Sequence, residues 1–321
     1  MEGSLSRVAV TGAGGFIGGA VCRRLLTDGA EVVGLDLPAA AARVEATGAA
    51  FAACDVTDAD AVRAALDGVP HVVHTAAIVS DWGPMAEFVR VNVGGTRNVL
   101  DAAAGAERVV HLSSVAIWGH DFAPDVDEDS EPRPCGVPYI DTKGASDVLA
   151  RRHGATVVRP GDVYGPGSVP WAIRPLAGLR ARRLAVPPGG LMTPVYVDDL
   201  TDLVARALVH PEAAGQSFVG WEGPPVGVSD FFDRYARMLG RRRAPVLPRP
   251  LLTAVAAADE AVARITGRPP TATRWAVSYL SRRHAYRASR AQEILGWHPR
   301  IDLDEGMRRT ETWARGEGLL H

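Results

Sequence analysis

Through residues 8–160 the chain alternates between two hydrophobic patterns. Short runs of valine, alanine and leucine give way to longer stretches in which apolar positions recur every three or four residues. The short runs predict strands buried on both faces at 8–11, 31–35, 50–54, 71–75, 108–113 and 156–159. The longer stretches predict helices at 20–28, 39–46, 59–66, 87–104 and 139–153. A strand that returns through a helix re-enters its sheet parallel to the last, so the alternation predicts about six βα units in one doubly wound α/β domain.

After Val158-Arg159-Pro160 the pattern loosens, and proline and glycine crowd in at 160–170, 187–194, 211–227 and 244–250. Helical spacing persists at 171–183, 197–209, 228–239, 251–265 and 271–281. The expected organisation is a doubly wound α/β domain over residues 1–164 and a smaller, mostly helical lobe over 165–321. Residues 193–210 are expected to return to the first domain, with Pro194-Val195-Tyr196-Val197 adding a strand to its sheet.

Composition narrows the partners. At 321 residues and 47% hydrophobic content the chain has enough apolar surface for a sizeable core. Thirty-five basic and 37 acidic side chains leave a formal net charge of −2, so neither nucleic acid nor membrane is an expected partner. The arginine runs at Arg180-Ala181-Arg182-Arg183, Arg241-Arg242-Arg243 and Arg282-Arg283 read as solvated faces or helix ends. Three widely spaced cysteines, Cys22, Cys54 and Cys135, suit neither a disulfide framework nor a thiolate metal site. No charged-then-apolar leader precedes Val8 and no apolar run reaches membrane-spanning length, so a cytoplasmic location is expected.

The first candidate chemistry lies in Val8-Ala9-Val10-Thr11-Gly12-Ala13-Gly14-Gly15-Phe16-Ile17-Gly18-Gly19, which reads as strand, turn and helix. Gly12, Gly15 and Gly18 permit a tight turn, close approach of a pyrophosphate and close helix packing, while the helix start at Phe16 and Ile17 offers N–H donors. A glycine-rich turn without a ligand has the same spelling. Asp36 ends the second strand eighteen residues beyond Gly18, where a carboxylate accepts from adenosine ribose hydroxyls and repels a 2′-phosphate, which favours NAD over NADP. Asp55 and Val56 follow the third strand, where Asp55 is placed to meet the adenine amine, although Asp58 or Thr57 capping the next helix explains the same cluster. Thr75, Ala76 and Ala77 are small where a backbone would pass a cofactor ribose. His74, with no second ligand at helical or hairpin spacing, reads as a satisfied structural histidine rather than a metal ligand.

The sharpest pattern is Ser114 at the end of a buried strand, followed 25 residues later by Tyr139-Ile140-Asp141-Thr142-Lys143. Residues i and i+4 share a helix face about 5–6 Å apart at Cβ. A phenol is a poor base near neutrality, but an adjacent ammonium and a cationic nicotinamide ring both favour its ionised form. Tyr139 is then a proton donor or acceptor for a substrate oxygen that Ser114 orients. Tyr-x-x-x-Lys on a surface helix is the bland alternative.

These residues together resemble the extended short-chain dehydrogenase/reductase superfamily. The likeness runs through Thr11-Gly12-x-x-Gly15-x-x-Gly18, Asp36, Asp55-Val56, His74-Thr75-Ala76-Ala77, Asn92-Val93-x-Gly95-Thr96, Ser113-Ser114-x-x-x-Trp118-Gly119 and Tyr139-x-x-x-Lys143. It continues through Arg159-Pro160-Gly161-Asp162-Val163-Tyr164-Gly165-Pro166-Gly167, Val195-Tyr196-Val197-Asp198-Asp199-Leu200 and Ser289-Arg290-Ala291-x-x-x-Leu295-Gly296-Trp297-x-Pro299. The resemblance implies a Rossmann-type fold, NAD as cofactor, and Ser114, Tyr139 and Lys143 as the catalytic set. It also implies Asn92 as a helix residue supporting the site, Ser113 and Pro160 beside the cofactor, and a homodimer built on the helices near 87–104 and 139–153.

Departures from the family's commoner patterns narrow the chemistry. Val115 and Ala116 follow Ser114 where sugar-nucleotide dehydratases usually place an acidic pair, and Asp162 stands where many epimerases carry an asparagine that contacts a diphosphate. Trp118 replaces a common tyrosine and Tyr196 a common histidine. Val79-Ser80-Asp81-Trp82-Gly83-Pro84, the 159–167 segment and Thr266-Gly267-Arg268-Pro269-Pro270 with Thr273-Arg274 look most like the 3β-hydroxysteroid dehydrogenase-like branch. That branch implies interconversion of a secondary alcohol and a ketone on a small-molecule substrate that is bulky and apolar. Ile78, Trp82, Trp118, Val137, Trp171, Leu191, Met192 and Trp221 are the substrate-side candidates, and core packing explains several equally well. The alternatives are a nucleotide-sugar epimerase with tightly held NAD and a non-catalytic dinucleotide-binding protein.

Overall fold

The computed structural model describes residues 6–221 and 223–320. The first half runs β1 (Arg7–Thr11), α1 (Phe16–Thr27), β2 (Glu31–Asp36), α2 (Ala41–Glu45), β3 (Ala50–Ala53), α3 (Ala59–Leu66), β4 (His71–His74), α4 (Met85–Phe88), α5 (Thr96–Ala102), β5 (Arg108–Leu112), α6 (Pro138–Arg152) and β6 (Thr156–Pro160). The second half adds β7 (Asp162–Tyr164), α7 (Arg174–Arg180), β8 (Leu191–Met192), β9 (Pro194–Tyr196), α8 (Val197–Val209), β10 (Ser217–Gly220) and β11 (Val226–Gly227). It ends with α9 (Val228–Met238), α10 (Arg249–Thr266), α11 (Arg274–Tyr279), α12 (Arg290–Leu295) and α13 (Leu303–Gly316).

Seven strands form one sheet in the order β10-β6-β5-β4-β1-β2-β3, with every pairing parallel. The fold is the doubly wound, Rossmann-like α/β architecture; all six strand runs of the first half are found, and four of its five helical stretches. Its strands are buried on both faces: Val8, Val10, Val72, Val73, Val110, Val157 and Val158 are wholly inaccessible. Asp58 caps α3, accepting from the amides of Asp60 and Ala61 at 3.1 Å each. Helix α8 packs on α1 and covers β5 and β6.

Three expectations are corrected. The Pro194–Tyr196 strand does not join the main sheet but pairs with β7 in a two-stranded sheet of its own. Gly161 explains the departure: a Cβ there would collide with Thr193 O, so only glycine lets the chain leave β6 and run beside 193–196. The edge of the main sheet is closed instead by β10, which lies beside β6. The helix expected at 87–104 starts at Met85 and is interrupted by a π-helical turn at Val89–Gly95. The helix expected at 171–183 opens on a second π turn, Val169–Ile173, and stops at Arg180; Arg182 then takes φ 56°.

The tail motif is a structural tie. Trp297 is fully buried and its Nε1 donates to Asp199 O at 3.0 Å, while the Asp199 carboxylate accepts from the amides of Arg300 (2.9 Å) and Ile301 (3.1 Å). These contacts hold the chain after α12 against the start of α8. Among the described residues no helix is long and apolar enough to cross a membrane.

Candidate active site

Parallel strands deliver their C-terminal ends to one edge of the sheet, and the order reverses direction between β1 and β4. The loop after β1, Asp36, Asp55, Thr75–Ala77, Ser113 and Ser114, and Pro160 therefore gather on that edge although they span most of the first half. Gly12 has φ 68°, and a Cβ on it would lie 2.8 Å from Ala76 N. A Cβ on Gly18 would collide with Gly12 O, so these glycines bring α1 and the 75–77 segment against the loop. Thr75 Oγ1 seals the contact by donating to Thr11 O at 2.6 Å. Gly15 is exposed and starts α1 with no side-chain cap and no acid in the first turn, which leaves the amide end near Phe16 and Ile17 open to an anion.

Asp36 is held in place from two sides, accepting from Gly14 N at 2.8 Å and Leu37 N at 2.7 Å. Arg43, on α2, donates to Gly14 O at 3.1 Å; its place beside the loop could not be seen in the two residues that follow Asp36. Asp55 is drawn into a local turn by Thr57 N (2.9 Å) and Thr57 Oγ1 (2.8 Å), and the backbone bond to Thr57 takes its carboxyl below the usual value. Val56 is buried against Gly95, with no room there for a Cβ. An open helix start, a fixed carboxylate at the end of β2 and glycines packed to contact together fit a dinucleotide.

Asn92 lies in the first π turn. Its Oδ1 accepts from Ile78 N at 2.7 Å, and its Nδ2 donates to Ile78 O and to Thr142 Oγ1, both at 3.1 Å. One side chain thereby ties the loop after β4 to α6 one residue before Lys143. His74 is satisfied at both nitrogens: Thr96 Oγ1 donates to Asn92 O (2.6 Å) and so accepts from His74 Nε2 (2.9 Å), leaving Nδ1 to accept from Thr11 (2.7 Å). Burial, with the Lys143 charge adding to it, pulls His74 down to about 3, which keeps the ring neutral.

Ser114 leaves β5 in extended conformation and its Oγ accepts from Ala116 N at 3.1 Å, opening a short 3-10 turn. Burial raises the Tyr139 phenol above its usual value, and a hydrogen bond with Ser114 acts the other way. Lys143 is buried, its Nζ donates to Leu112 O, and burial brings it down to about 8 despite the opposing Asp147 carboxylate. Asp147 sits one further turn along α6, so Tyr139, Lys143 and Asp147 share a face at i, i+4 and i+8. Arg159 at the end of β6 grips Asp147 with two bonds of 2.8 Å, both side chains fully buried, and donates to Glu128 O at 2.6 Å. Burial alone would raise Asp147; the bonded Arg159, with Ser113 and Arg151, brings it net below the usual range. Neither Asp147 nor Arg159 is marked out for these roles by a motif; the i+8 spacing of Asp147 from Tyr139 is the signal in the sequence that points to the first of them.

The substrate-side candidates separate. Trp118, Met192 and Trp221 are core residues; Trp118 lies under the Arg159 guanidinium at 5.2 Å and donates to Ser130 O at 3.0 Å. Val137 and Trp171 instead join Tyr139, Ile140, Ala116, Trp275 and Tyr279 in one apolar cluster. Trp275 stacks on Tyr279 at 4.8 Å, with Trp171 at 6.4 Å. Asp162 stands behind this wall: its carboxylate accepts from Tyr279 OH (3.0 Å), Thr193 N (2.8 Å) and the fully buried Arg282, whose guanidinium lies 4.0 Å over the Tyr279 ring. A serine, a tyrosine and a lysine beside a glycine-rich loop, on the edge of a doubly wound sheet, make an arrangement that suits a dinucleotide-dependent enzyme.

Residues 8–219 match the NAD dependent epimerase/dehydratase family, and the chain belongs to that family, with NAD as its cofactor. A 2-alkyl-3-oxoalkanoate reductase of Stenotrophomonas maltophilia is 28% identical over 94% of this chain and 98% of its own length. A UDP-glucose 4-epimerase of Mycolicibacterium smegmatis is 31% identical over 97% of this chain and 99% of its own. Among solved structures, the Thermus thermophilus UDP-glucose 4-epimerase in complex with NAD superposes with TM-score 0.73 at 27% identity, covering 97% of this chain and 99% of that one.

Proposed function

We propose that this protein is an NAD-dependent dehydrogenase or reductase that interconverts a secondary alcohol and a ketone on a bulky apolar substrate, with Ser114, Tyr139 and Lys143 as its catalytic residues. The observation that carries the reading is the apolar face that the half-buried Val137, Trp171 and Trp275 present beside Tyr139, backed by the buried Ile140 and Tyr279. Such a surface gains by taking apolar area out of water and offers nothing to a diphosphate. Asp162 adds to this, because Arg282 is occupied with it and is not free for a second anion. The reductase from Stenotrophomonas maltophilia, whose name specifies an alkyl-bearing oxo acid, is a relative of matching character.

Bound NAD supplies or accepts the hydride. The chain's part is to hold the substrate oxygen between the Ser114 and Tyr139 hydroxyls and to move one proton at Tyr139 Oη. A positive charge at Lys143 lowers the cost of ionising the phenol, and the Asp147–Arg159 pair keeps that lysine's helix seated against β6. Asn92 fixes the loop that borders the same space.

Epimerisation of a nucleotide sugar is the second reading, favoured by the Mycolicibacterium smegmatis relative. One assay separates the two. Purified protein is given NADH with a panel of bulky ketones and 3-oxo acids, and separately UDP-glucose with no added cofactor. Steady NADH oxidation with a ketone is expected; C4 epimerisation of the sugar with no ketone turned over would overthrow the proposal.

A further inference from the structure

The inner side of α10 is conventional: Ala256, Glu260 and Ala263 are buried, and Glu260 binds Arg274 through its amide (2.8 Å) and Nε (2.9 Å). The outer side is not. Leu251, Val255, Val262 and Ile265 are 49, 55, 55 and 86% exposed, and the small Ala254 and Ala258 fill the turns between them. Their spacing makes a single apolar stripe along the helix. Just before it, Val246 and Leu247 are exposed too, so six of the twelve large apolar residues exposed among the described residues fall within 246–265. A contiguous patch of this kind on a water-facing helix marks a contact surface.

The charges around the stripe say what the contact is. Residues 241–274 hold seven arginines and two acids. Both acids are used internally: Asp259 accepts from the amides of Thr271 (2.7 Å) and Ala272 (3.1 Å), and Glu260 holds Arg274. Arg242, Arg243 and Arg249 are exposed at one end of the stripe, and Arg264 and Arg268 at the other. A second copy packed antiparallel about a two-fold axis would set Arg249 against the Arg264 and Arg268 end of its partner, with no free acid between them. A convex apolar ridge flanked by arginines is instead complementary to an anionic bilayer surface.

We propose that the outer face of α10, with the Val246-Leu247 segment before it, seats this protein on anionic phospholipid membrane as a peripheral, non-spanning contact. The near-zero net charge concealed this, because the whole-chain sum averages away a local arginine cluster. The surface also adjoins the site: Arg264 lies 5.3 Å over Trp82, Thr273 donates to Asp81, and α11, which carries Trp275 and Tyr279, packs on α10.

The full chain is tested by flotation with phosphatidylcholine vesicles that contain or lack phosphatidylglycerol. Binding to the anionic vesicles is expected, with Val255→Glu/Ile265→Glu weakening it by at least about tenfold. Arg242→Glu/Arg243→Glu is expected to weaken it by about fivefold for each arginine lost, and high salt to act in the same direction. NAD binding and melting temperature, unchanged in both variants, exclude misfolding. Equal flotation with both vesicle types, or wild-type binding by the Val255→Glu/Ile265→Glu variant, overturns the proposal. So does a change in the elution volume of that variant in the absence of lipid, which would make the face a protein interface. Turnover of a soluble ketone without vesicles is independent of all these outcomes, so the catalytic reading can fail or stand separately.

Discussion

Arg159 and Asp162 are separated only by Pro160 and Gly161, yet each enters a different buried ion pair. Arg159 meets Asp147, twelve residues away on the helix that carries Tyr139 and Lys143. Asp162 meets Arg282, 120 residues away, in the segment that follows α11. The first pair locks α6 to the sheet; the second locks the aromatic cluster to the strand that has just left it. The helix of Tyr139 and Lys143 and the aromatic cluster beside it are thus stabilised by separate charges on either side of one glycine bend, and a change in one half is expected to leave the other intact.

The largest effect that would sharpen this contrast is at the phenol. Tyr139→Phe is expected to reduce kcat by about a thousandfold with NAD affinity unchanged, whereas Trp275→Ala, in the half-buried part of the aromatic cluster, should act mainly on KM; steady-state kinetics and NADH fluorescence titration distinguish the two. Next come the ion pairs. Arg159→Met and Arg282→Met each strand a buried carboxylate and are expected to cost about 3–5 kcal/mol in denaturant unfolding. Adding Asp162→Asn to Arg282→Met should recover most of that loss, since neither charge then remains. Equal loss of NAD affinity in the two arginine variants would break the comparison, because only Arg159 supports the cofactor half.

The smallest effect is a pH dependence. Lys143, near 8 in the folded protein against about 10.4 in an unfolded chain, gives up its charge as pH rises through 8, and turnover is expected to fall along that limb. Lys143→Arg should move the limb upward in a profile of kcat/KM. The linkage has the opposite sign for stability: between these two values the unfolded chain binds more protons, so burial of Lys143 costs most below pH 8 and is relieved as pH rises. A melting series of wild type and Lys143→Met across this interval measures it.

How much could be read in advance follows from distance along the chain. The glycine loop, Asp36, and the i, i+4 relation of Tyr139 to Lys143 are local, and their placement needs only strand and helix period. Asp147 is equally local yet carries no mark, because a carboxylate one turn below a lysine has the same spelling as any solvated helix position. The π turn that aims Asn92 at Ile78 and Thr142 has no signature in hydrophobic spacing. Trp118 and Trp171 are chemically alike, yet one lies beneath Arg159 and the other beside Tyr139.

By itself the chain determined the parallel sheet and the residues at its C-terminal edge, because each depends on periodicities and spacings shorter than one βα unit. Only the tertiary structure decided that β10 closes the sheet in place of the 194–196 strand, that Arg282 neutralises Asp162, which aromatic residues line the wall, and that α10 keeps a second apolar face. These are pairings across tens to more than a hundred residues. They are settled by which surfaces are buried together once the sheet has formed, and no local pattern records that choice.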